Sequence, residues 1–183
     1  MKITALEEYG LRCVLRLAMK PGGGALTVGE IAEREGLTVP YVGKLMSVLR
    51  QSGIVDSVRG RSGGYTLARQ AEQISVEEVL NALGDPLFAT DYCESHPGNL
   101  DVCSHQGNCG IRSVWEVLGE MIHRVLRGTT LADLCQQEER LSSRIKDRME
   151  PALLQIGGAA RSPQPSGPSS AGTGGVPGGS TRE

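Results

Sequence analysis

Three cysteines lie close together in one polar loop of this 183-residue chain. Nine residues separate Cys93 from Cys103, and five separate Cys103 from Cys109. Thiolates are soft ligands that suit iron–sulfur clusters, zinc and copper(I). Because such centres usually take four ligands, three thiols on one loop predict a metal site that a further side chain completes.

Two histidines in the same loop leave the identity of the metal open. His96, with the three cysteines, would complete a zinc site of ordinary composition, although the spacing is unusual. Taken singly, His96 and His105 are typical of surface loop residues. Cys109 directly precedes a predicted helix, whose N-terminal dipole favours a thiolate. The remaining cysteines, Cys13 and Cys135, lie on apolar stripes and are predicted to be small core residues.

Composition limits the class of protein. The formal net charge is −2, so a surface that binds nucleic acid has to be local. No run of about 18 apolar residues is present, which predicts no membrane contact, and no apolar signal-peptide core follows Met1. We therefore expect a cytoplasmic protein. Five cysteines, an odd number in a reducing compartment, indicate ligands or buried thiols rather than disulfides.

The elements before the cysteine loop predict a helix-turn-helix. An apolar stripe predicts a helix over 4–20, and Thr27 with Glu30 forms a capping box that opens a second helix ending at Gly36. Thr38 is the predicted N-cap of the next helix. Two short helices joined by a glycine-containing turn are typical of this motif. The predicted inward stripe of the second, reader helix is Val42, Leu45, Met46 and Leu49.

A hairpin follows the reader helix. The pattern over 54–58 and 65–67 predicts two strands, and the intervening 59–64 is rich in glycine, as a tight hairpin requires. Arg59 and Arg61 would occupy its tip. A short exposed hairpin after a helix-turn-helix is typical of a wing, so the N-terminal part is predicted to be a winged helix-turn-helix domain.

Local charge supports DNA binding by this domain. Between Thr38 and Arg69 there are five basic side chains against one acidic side chain. Lys44 could reach guanine O6 and N7, and Gly43 would allow the backbone to approach closely. Each charge taken alone would also suit a solvated surface. The candidate DNA-binding residues are Thr38, Tyr41, Gly43, Lys44, Ser47 and Arg50 on the reader helix, and Arg59, Arg61, Ser62 and Gly63 on the wing, whose arginines suit a narrow minor groove.

The C-terminal part predicts an interface and a tail. Ser75 and Glu78 form a capping box for a helix that ends near Gly84. An apolar stripe over 111–126 is too long for so short a domain to cover, which predicts a dimerisation helix; a helix lying across its own domain is the alternative. Thr130 would cap a final short helix ending near Glu139. Of the last 27 residues, 17 are Gly, Ser or Pro, which predicts disorder.

The predicted fold is therefore mainly α with a small β wing. Its four parts are a winged helix-turn-helix domain over 1–84, a cysteine-rich loop over 85–110, a dimerisation helix with short C-terminal helices over 111–150, and a disordered tail over 151–183.

This combination resembles the IscR/NsrR-type winged-helix regulators of the Rrf2 family, which are homodimeric iron–sulfur transcription factors. The matching motifs are Tyr9-Gly10-Leu11-Arg12, the reader-helix segment 39–45, the wing segment 57–69 and the segment 129–134. The resemblance covers about residues 1–139. It implies a homodimer that binds a palindromic operator and carries a [2Fe-2S] or [4Fe-4S] cluster.

Two departures bear on the fourth ligand. IscR-type members space their cysteines C-x5-C-x5-C and add a histidine, whereas this chain has C-x9-C-x5-C and Arg112 at the position of that histidine. NsrR-type members take a carboxylate from the first helix of the partner subunit, and Glu8 matches that position. The alternative for Glu8 is an i, i+4 ion pair with Arg12.

The predicted function is a DNA-binding repressor or activator whose operator binding depends on a cluster that senses redox state, nitric oxide or iron supply. The alternative is a zinc-stabilised or cluster-free transcription factor without metal-based sensing. An enzyme with Cys109 as nucleophile would need a positioned base, and none of the three histidines has a recognisable catalytic setting. We therefore expect no enzymatic activity and no small-molecule substrate.

Overall fold

The computed structural model describes residues 3–60, 63–85, 92–105 and 107–158, with the side chains of 92–93 and 151–158 outside the description. The fold is mainly α with one two-stranded antiparallel sheet, as predicted. The elements are α1 (Ala5–Ala18), α2 (Val28–Glu35), α3 (Val39–Gln51), β1 (Val55–Val58), β2 (Gly64–Leu67), a 3-10 turn (Ala71–Gln73), α4 (Val76–Leu83), α5 (Tyr92–Ser95), α6 (Gly110–Gly128), α7 (Leu131–Leu134) and α8 (Glu138–Gly158).

Capping boxes and a glycine fix the ends of the first helices. At α2, Glu30 N donates to Thr27 Oγ1 (3.1 Å), and Thr27 N donates to Glu30 Oε2 (2.8 Å). Gly36 ends α2 with a φ of +66°, a left-handed conformation that favours glycine. Both features were predicted. Thr4 and Glu7 form an equivalent box at the start of α1.

The reader helix α3 presents one apolar face to the core. Its predicted inward residues are fully buried, so this part of the prediction is confirmed. Thr38 lies at the N-cap position but its side chain makes no capping hydrogen bond. The helices α1, α2 and α4 pack around the buried stripe, whose members are Val42, Leu45, Met46 and Leu49.

The hairpin is also confirmed. Val55 pairs with Leu67 in an antiparallel register, and the wing is tied to the body by two hydrogen bonds, Leu26 N to Tyr65 O (2.9 Å) and Tyr65 N to Leu26 O (2.8 Å). Because a Cβ at Gly64 would lie 2.2 Å from Leu26 O, this close approach requires glycine. The wing is therefore held against the body at the end of β2 that lies next to the turn.

The long helix α6 joins the body at its C-terminal end. Val76 N donates to Thr129 O (2.8 Å), and Leu131 N donates to Ile74 O (2.9 Å). Toward its other end α6 is exposed, and Gly119 is its one buried residue. No helix among the described residues is long and apolar enough to cross a membrane.

The C-terminal end differs from the prediction. The expected short helix to Glu139 is wrong, because α7 ends at Leu134 and the 21-residue helix α8 begins at Glu138. Three half-buried apolar residues at helical spacing face inward from α8, namely Leu141, Ile145 and Met149. Since α8 continues to Gly158, the expected disorder from 151 is wrong for 151–158, whereas 159–183 lie outside the described residues.

Two smaller predictions are corrected as well. The short helix α5 lies inside the segment that was expected to be a loop. Cys135 follows α7 and is exposed, although its stripe predicted a core position. Because α7 ends at Leu134, one position before Cys135, the apolar periodicity of the helix does not extend to this residue.

Candidate metal centre and nucleic-acid interface

The face of α3 opposite the core carries the candidate DNA-binding residues. Thr38, Lys44 and Arg50 are exposed, whereas Tyr41, Gly43 and Ser47 are half-buried. Within the described part of the chain, neither Lys44 nor Arg50 is engaged in an ion pair. Both cations are therefore available to phosphate or base edges.

Tyr41, a candidate DNA contact, makes a packing contact that the sequence did not indicate. Its ring packs edge-on against Tyr9 of α1, with 6.1 Å between ring centroids and an interplanar angle of 83°. The guanidinium carbon of Arg12 lies 5.5 Å from the Tyr9 ring centroid. This contact fixes the start of α3 against α1, and the residues are too far apart in sequence for a local pattern to reveal it.

Arg59 of the wing is exposed to solvent, and a backbone hydrogen bond closes the turn between the two strands. Gly63 is half-buried, and its backbone N–H donates to Gly60 O at 2.9 Å. Arg61 and Ser62 were predicted to contact DNA and lie outside the described residues. The basic tip stays a prediction, on a hairpin whose two paired strands are confirmed.

One cavity brings two of the cysteines together with both loop histidines. Its volume is about 380 Å³, and Cys103 and Cys109 are both partly exposed in its wall. Cys109 is the N-cap of α6, where its Sγ accepts a hydrogen bond from Arg112 N at 3.4 Å. The remaining lining residues are His96, His105, Ile111, Arg112 and Trp115.

The thiols and imidazoles in the wall of this cavity suit a soft metal, although these candidate ligands do not converge on a common metal position. Thiols and imidazoles are the ligands of zinc and iron–sulfur centres. Among the described residues, no three His, Cys, Asp or Glu side chains stand close enough to hold one ion. The side chain of Cys93, at the second position of α5, lies outside the description.

Glu8 lies at a different cavity. It is exposed on α1 and lines an apolar groove of about 460 Å³ between α1, α4 and α6, whereas the two thiols line the cysteine cavity. Within one chain, Glu8 is therefore apart from the cavity that holds Cys103 and Cys109. The groove is walled mainly by Leu11, Leu80, Leu118, Met121, Ile122 and Val125.

The alternative role of Glu8 is an ion pair with Arg12, but Arg12 pairs with Glu35 instead. Arg12 Nε donates to Glu35 Oε2 at 2.7 Å, and Arg16 binds the other oxygen of the same buried carboxylate. The hydrogen bond to Glu35 raises the pKa of Arg12, and the charge of Glu8 adds to the same effect. The ion pair that fixes α1 is thus made with the end of α2.

The two cysteines outside the loop differ from each other. Burial raises the pKa of the Cys13 thiol to about 11, which makes it an unreactive core residue as predicted. Partial burial and the charge of Glu72 raise the pKa of Cys135, which is an exposed residue rather than a core residue.

A charged cluster joins α4 to α6. Glu77 Oε1 lies 2.7 Å from His123 Nδ1, and Glu77 Oε2 accepts a hydrogen bond from Arg127 Nε at 2.9 Å. Burial opposes the ionisation of Glu77, but the hydrogen bonds from Arg127 and His123 outweigh it and lower the pKa of this carboxyl. Sequence reasoning missed this cluster, because the partners are separated by 46 and 50 positions.

Comparisons with known proteins agree with this architecture. The profile of the Rrf2 family, described as an iron-dependent transcriptional regulator, matches residues 3–137. The chain is 36% identical over 134 residues to protein rrf2 of Nitratidesulfovibrio vulgaris, covering 73% of this chain and 87% of that protein. It is 34% identical over 150 residues to the HTH-type transcriptional regulator IscR of Sodalis glossinidius, covering 82% and 87%.

A solved structure supports the fold in the same way. CymR, the global cysteine regulator of B. subtilis, superposes with a TM-score of 0.62 at 30% identity, covering 74% of this chain and 96% of that chain. These relatives are transcriptional regulators and not enzymes, in agreement with the expectation from the sequence. The chain with the winged helix-turn-helix and the cysteine cavity belongs to the Rrf2 family of transcriptional regulators.

Proposed function

We propose that this regulator is a homodimer whose binding to a palindromic operator is controlled by an iron–sulfur cluster. The observation that carries the proposal is the cavity that Cys103 and Cys109 both line at the N-terminus of an exposed long helix. The ligands would be Cys93, Cys103 and Cys109, with Glu8 of the partner subunit as the fourth. A cluster bound there, [2Fe-2S] or [4Fe-4S], supplies redox chemistry and sensitivity to oxidants, nitric oxide or iron supply.

The dimer follows from the surface of α6. The exposed fractions of Ile111, Val114 and Trp115 are 63%, 55% and 41%, and Leu118 is also exposed. A contiguous apolar stripe of this kind is typical of an interface, and a two-fold axis would pair it with itself. The groove beside Glu8 is open and apolar, so a partner's α6 entering it would bring that partner's cysteines toward Glu8.

Operator binding would use both subunits. Two α3 helices would enter successive major grooves, roughly 34 Å apart. Lys44 would read a guanine, and Arg59 and Arg61 would enter the minor groove, with Thr38, Tyr41, Gly43, Ser47, Arg50, Ser62 and Gly63 as the further contacts. Loss or oxidation of the cluster would reposition the cysteine loop and the two α6 helices, and so change the separation of the two α3 helices.

The second candidate is a zinc-stapled regulator without metal-based sensing. The presence of His96 and His105 in the wall of the cysteine cavity favours it, because two thiols and two imidazoles are an ordinary zinc donor set. This candidate predicts a colourless protein with one zinc per chain.

The deciding experiment is an ultraviolet–visible spectrum with iron, sulfide and zinc analysis on full-length protein purified without oxygen. We expect brown protein with iron and sulfide, and Glu8→Ala should then destabilise the cluster toward oxygen. Asp101→Asn, which removes an exposed carboxylate within the loop, is the matched control. Holo and apo protein should bind operator DNA with different affinity at fixed salt. Equal affinities would show that the cluster does not control binding.

A further inference from the structure

We infer that Glu77 is a positioning residue that sets the half-site spacing this regulator accepts, by fixing the angle between α6 and the DNA-binding body. The inference rests on the proposed dimer and operator. Glu77 touches no DNA in this scheme and acts through α6. Its two partners, His123 and Arg127, lie one turn apart on that helix, so the cluster restrains α6 over a length rather than at a point.

The attachment of α6 leaves its angle open to adjustment. Its C-terminal end is fixed to the body through Val76 N and Thr129 O, which are 2.8 Å apart. Beyond that point α6 faces an apolar groove of about 460 Å³ beside α1 and α4, which in the proposed dimer the partner's α6 would fill. The backbone hydrogen bonds therefore form a pivot. Apolar packing in the groove has no preferred direction, so the directional contact between α4 and α6 next to the pivot is the Glu77 cluster.

The geometry of the charged cluster suits it to fix the angle between α6 and the DNA-binding body. The Glu77 side chain is only 12% exposed and both of its oxygens are engaged. By contrast, the ion pairs Arg112–Glu116 (3.6 Å) and Arg124–Glu120 (3.1 Å) run along α6 itself and join it to nothing else. Two hydrogen bonds from one helix to a nearly buried carboxylate restrict the direction of that helix. Exposed ion pairs within a single helix contribute little to stability.

A small change in the angle between α6 and the DNA-binding body is large enough to change the half-site spacing that the dimer can bind. In the dimer the two α6 helices form the shared frame, and each DNA-binding body turns about its own pivot. A rotation of about 10° displaces an atom roughly 20 Å away by roughly 3.5 Å, close to the rise of one base pair, about 3.4 Å. Loosening the angle should therefore let the dimer accept operators that differ by a base pair in half-site spacing.

The test uses full-length protein and a palindrome selected by the wild type from a random duplex library. Affinity is measured by fluorescence anisotropy at fixed salt for that palindrome and for versions with one or two base pairs inserted or removed at its centre. We expect the wild type to prefer its own spacing at least about tenfold. Glu77→Gln, whose amide offers one acceptor oxygen in place of two, should reduce the preference to less than about threefold.

Two further variants control the interpretation. Glu120→Gln makes the same change of charge on α6, outside the cluster, and should keep the wild-type preference. Arg127→Gln removes one exposed arm of the cluster and should relax the preference in part, so the inference stays testable if Glu77→Gln does not fold. An unchanged spacing preference in folded Glu77→Gln and Arg127→Gln would overturn the inference. A wild type that selects no palindrome would overturn the proposed dimeric operator binding itself, and the inference with it.

Discussion

The DNA-reading half and the cysteine-bearing half of this chain bury their apolar side chains very differently. Every inward residue of α3 is fully buried by neighbouring helices of the same chain. The apolar residues of α6 are exposed in its N-terminal part and only half-buried beyond it, and the groove beside that helix is open. The first half is thus a finished core, whereas the second half presents surface that a partner would cover.

The same contrast holds for the functional side chains. On α3, the arrangement of Lys44 and Arg50 follows from burying the opposite face of one helix, and needs no other chain. Around the cysteines, two thiols share one cavity while Glu8 lines another, so the proposed ligand set needs a second subunit. The proposed DNA-reading surface is therefore formed within one chain, whereas the proposed ligand set is divided between two cavities.

The largest expected effect is a loss of folding stability that occurs for a core substitution in the first half and not for an equivalent substitution on α6. Leu49→Ala should lower the free energy of unfolding by about 2–5 kcal/mol, because it leaves a cavity in the core. Leu118→Ala, on the exposed face of α6, should leave monomer unfolding nearly unchanged and weaken self-association instead. Chemical denaturation and sedimentation measure the two quantities. Equal losses of folding stability in both variants would break the comparison.

Removing a thiol should abolish metal binding without unfolding the DNA-reading half. Cys109→Ala is expected to lose most of its bound iron or zinc, since the remaining ligands cannot close the site. Cys135→Ala, a matched change at an exposed cysteine outside the cavity, should keep it. Elemental analysis and the thermal unfolding midpoint report the result. Retention of full metal by Cys109→Ala would remove this residue from the ligand set.

A change on the reader helix should act on DNA alone. Lys44→Ala is expected to weaken operator binding by about 1–3 kcal/mol and to relax sequence preference at one position. Lys146→Ala, on the exposed face of α8, is the control and should have no such effect. Anisotropy titrations with operator and with single-base variants distinguish the two. A uniform loss across all sequences would indicate a phosphate contact in place of base reading.

The smallest expected effect concerns pH. Because the pKa of Glu77 is lowered in the folded state, its contribution to stability is fully present above its ordinary pKa of 4.5. That contribution is lost as the pH falls through the lowered value. Glu77→Gln should therefore reduce stability at pH 7 more than at pH 3. A loss of equal size at both pH values would mean that the ion pairs add nothing to folding.

Much of the first half could be predicted because its signals are local. Capping boxes at Thr27 and Ser75, the glycine at the end of α2 and the change from helical to strand periodicity all act within a few residues. The C-terminal half was predicted less well. The sequence did not predict α8, because only a narrow apolar stripe marks this helix and its packing depends on the end of α6. Cys135 was predicted to lie in the core because no residue in the sequence marks the end of α7.

The sequence by itself determined the winged helix-turn-helix, the family resemblance and the candidate soft ligands, since residue type, spacing and period encode these directly. Tertiary structure decided which of these residues meet. It placed Cys103 and Cys109 with two histidines in one cavity, separated Glu8 from them, and joined Glu77 to His123 and Arg127 across 46 and 50 positions. Contacts of that range depend on how helices pack against one another, and no local pattern in the chain specifies that packing.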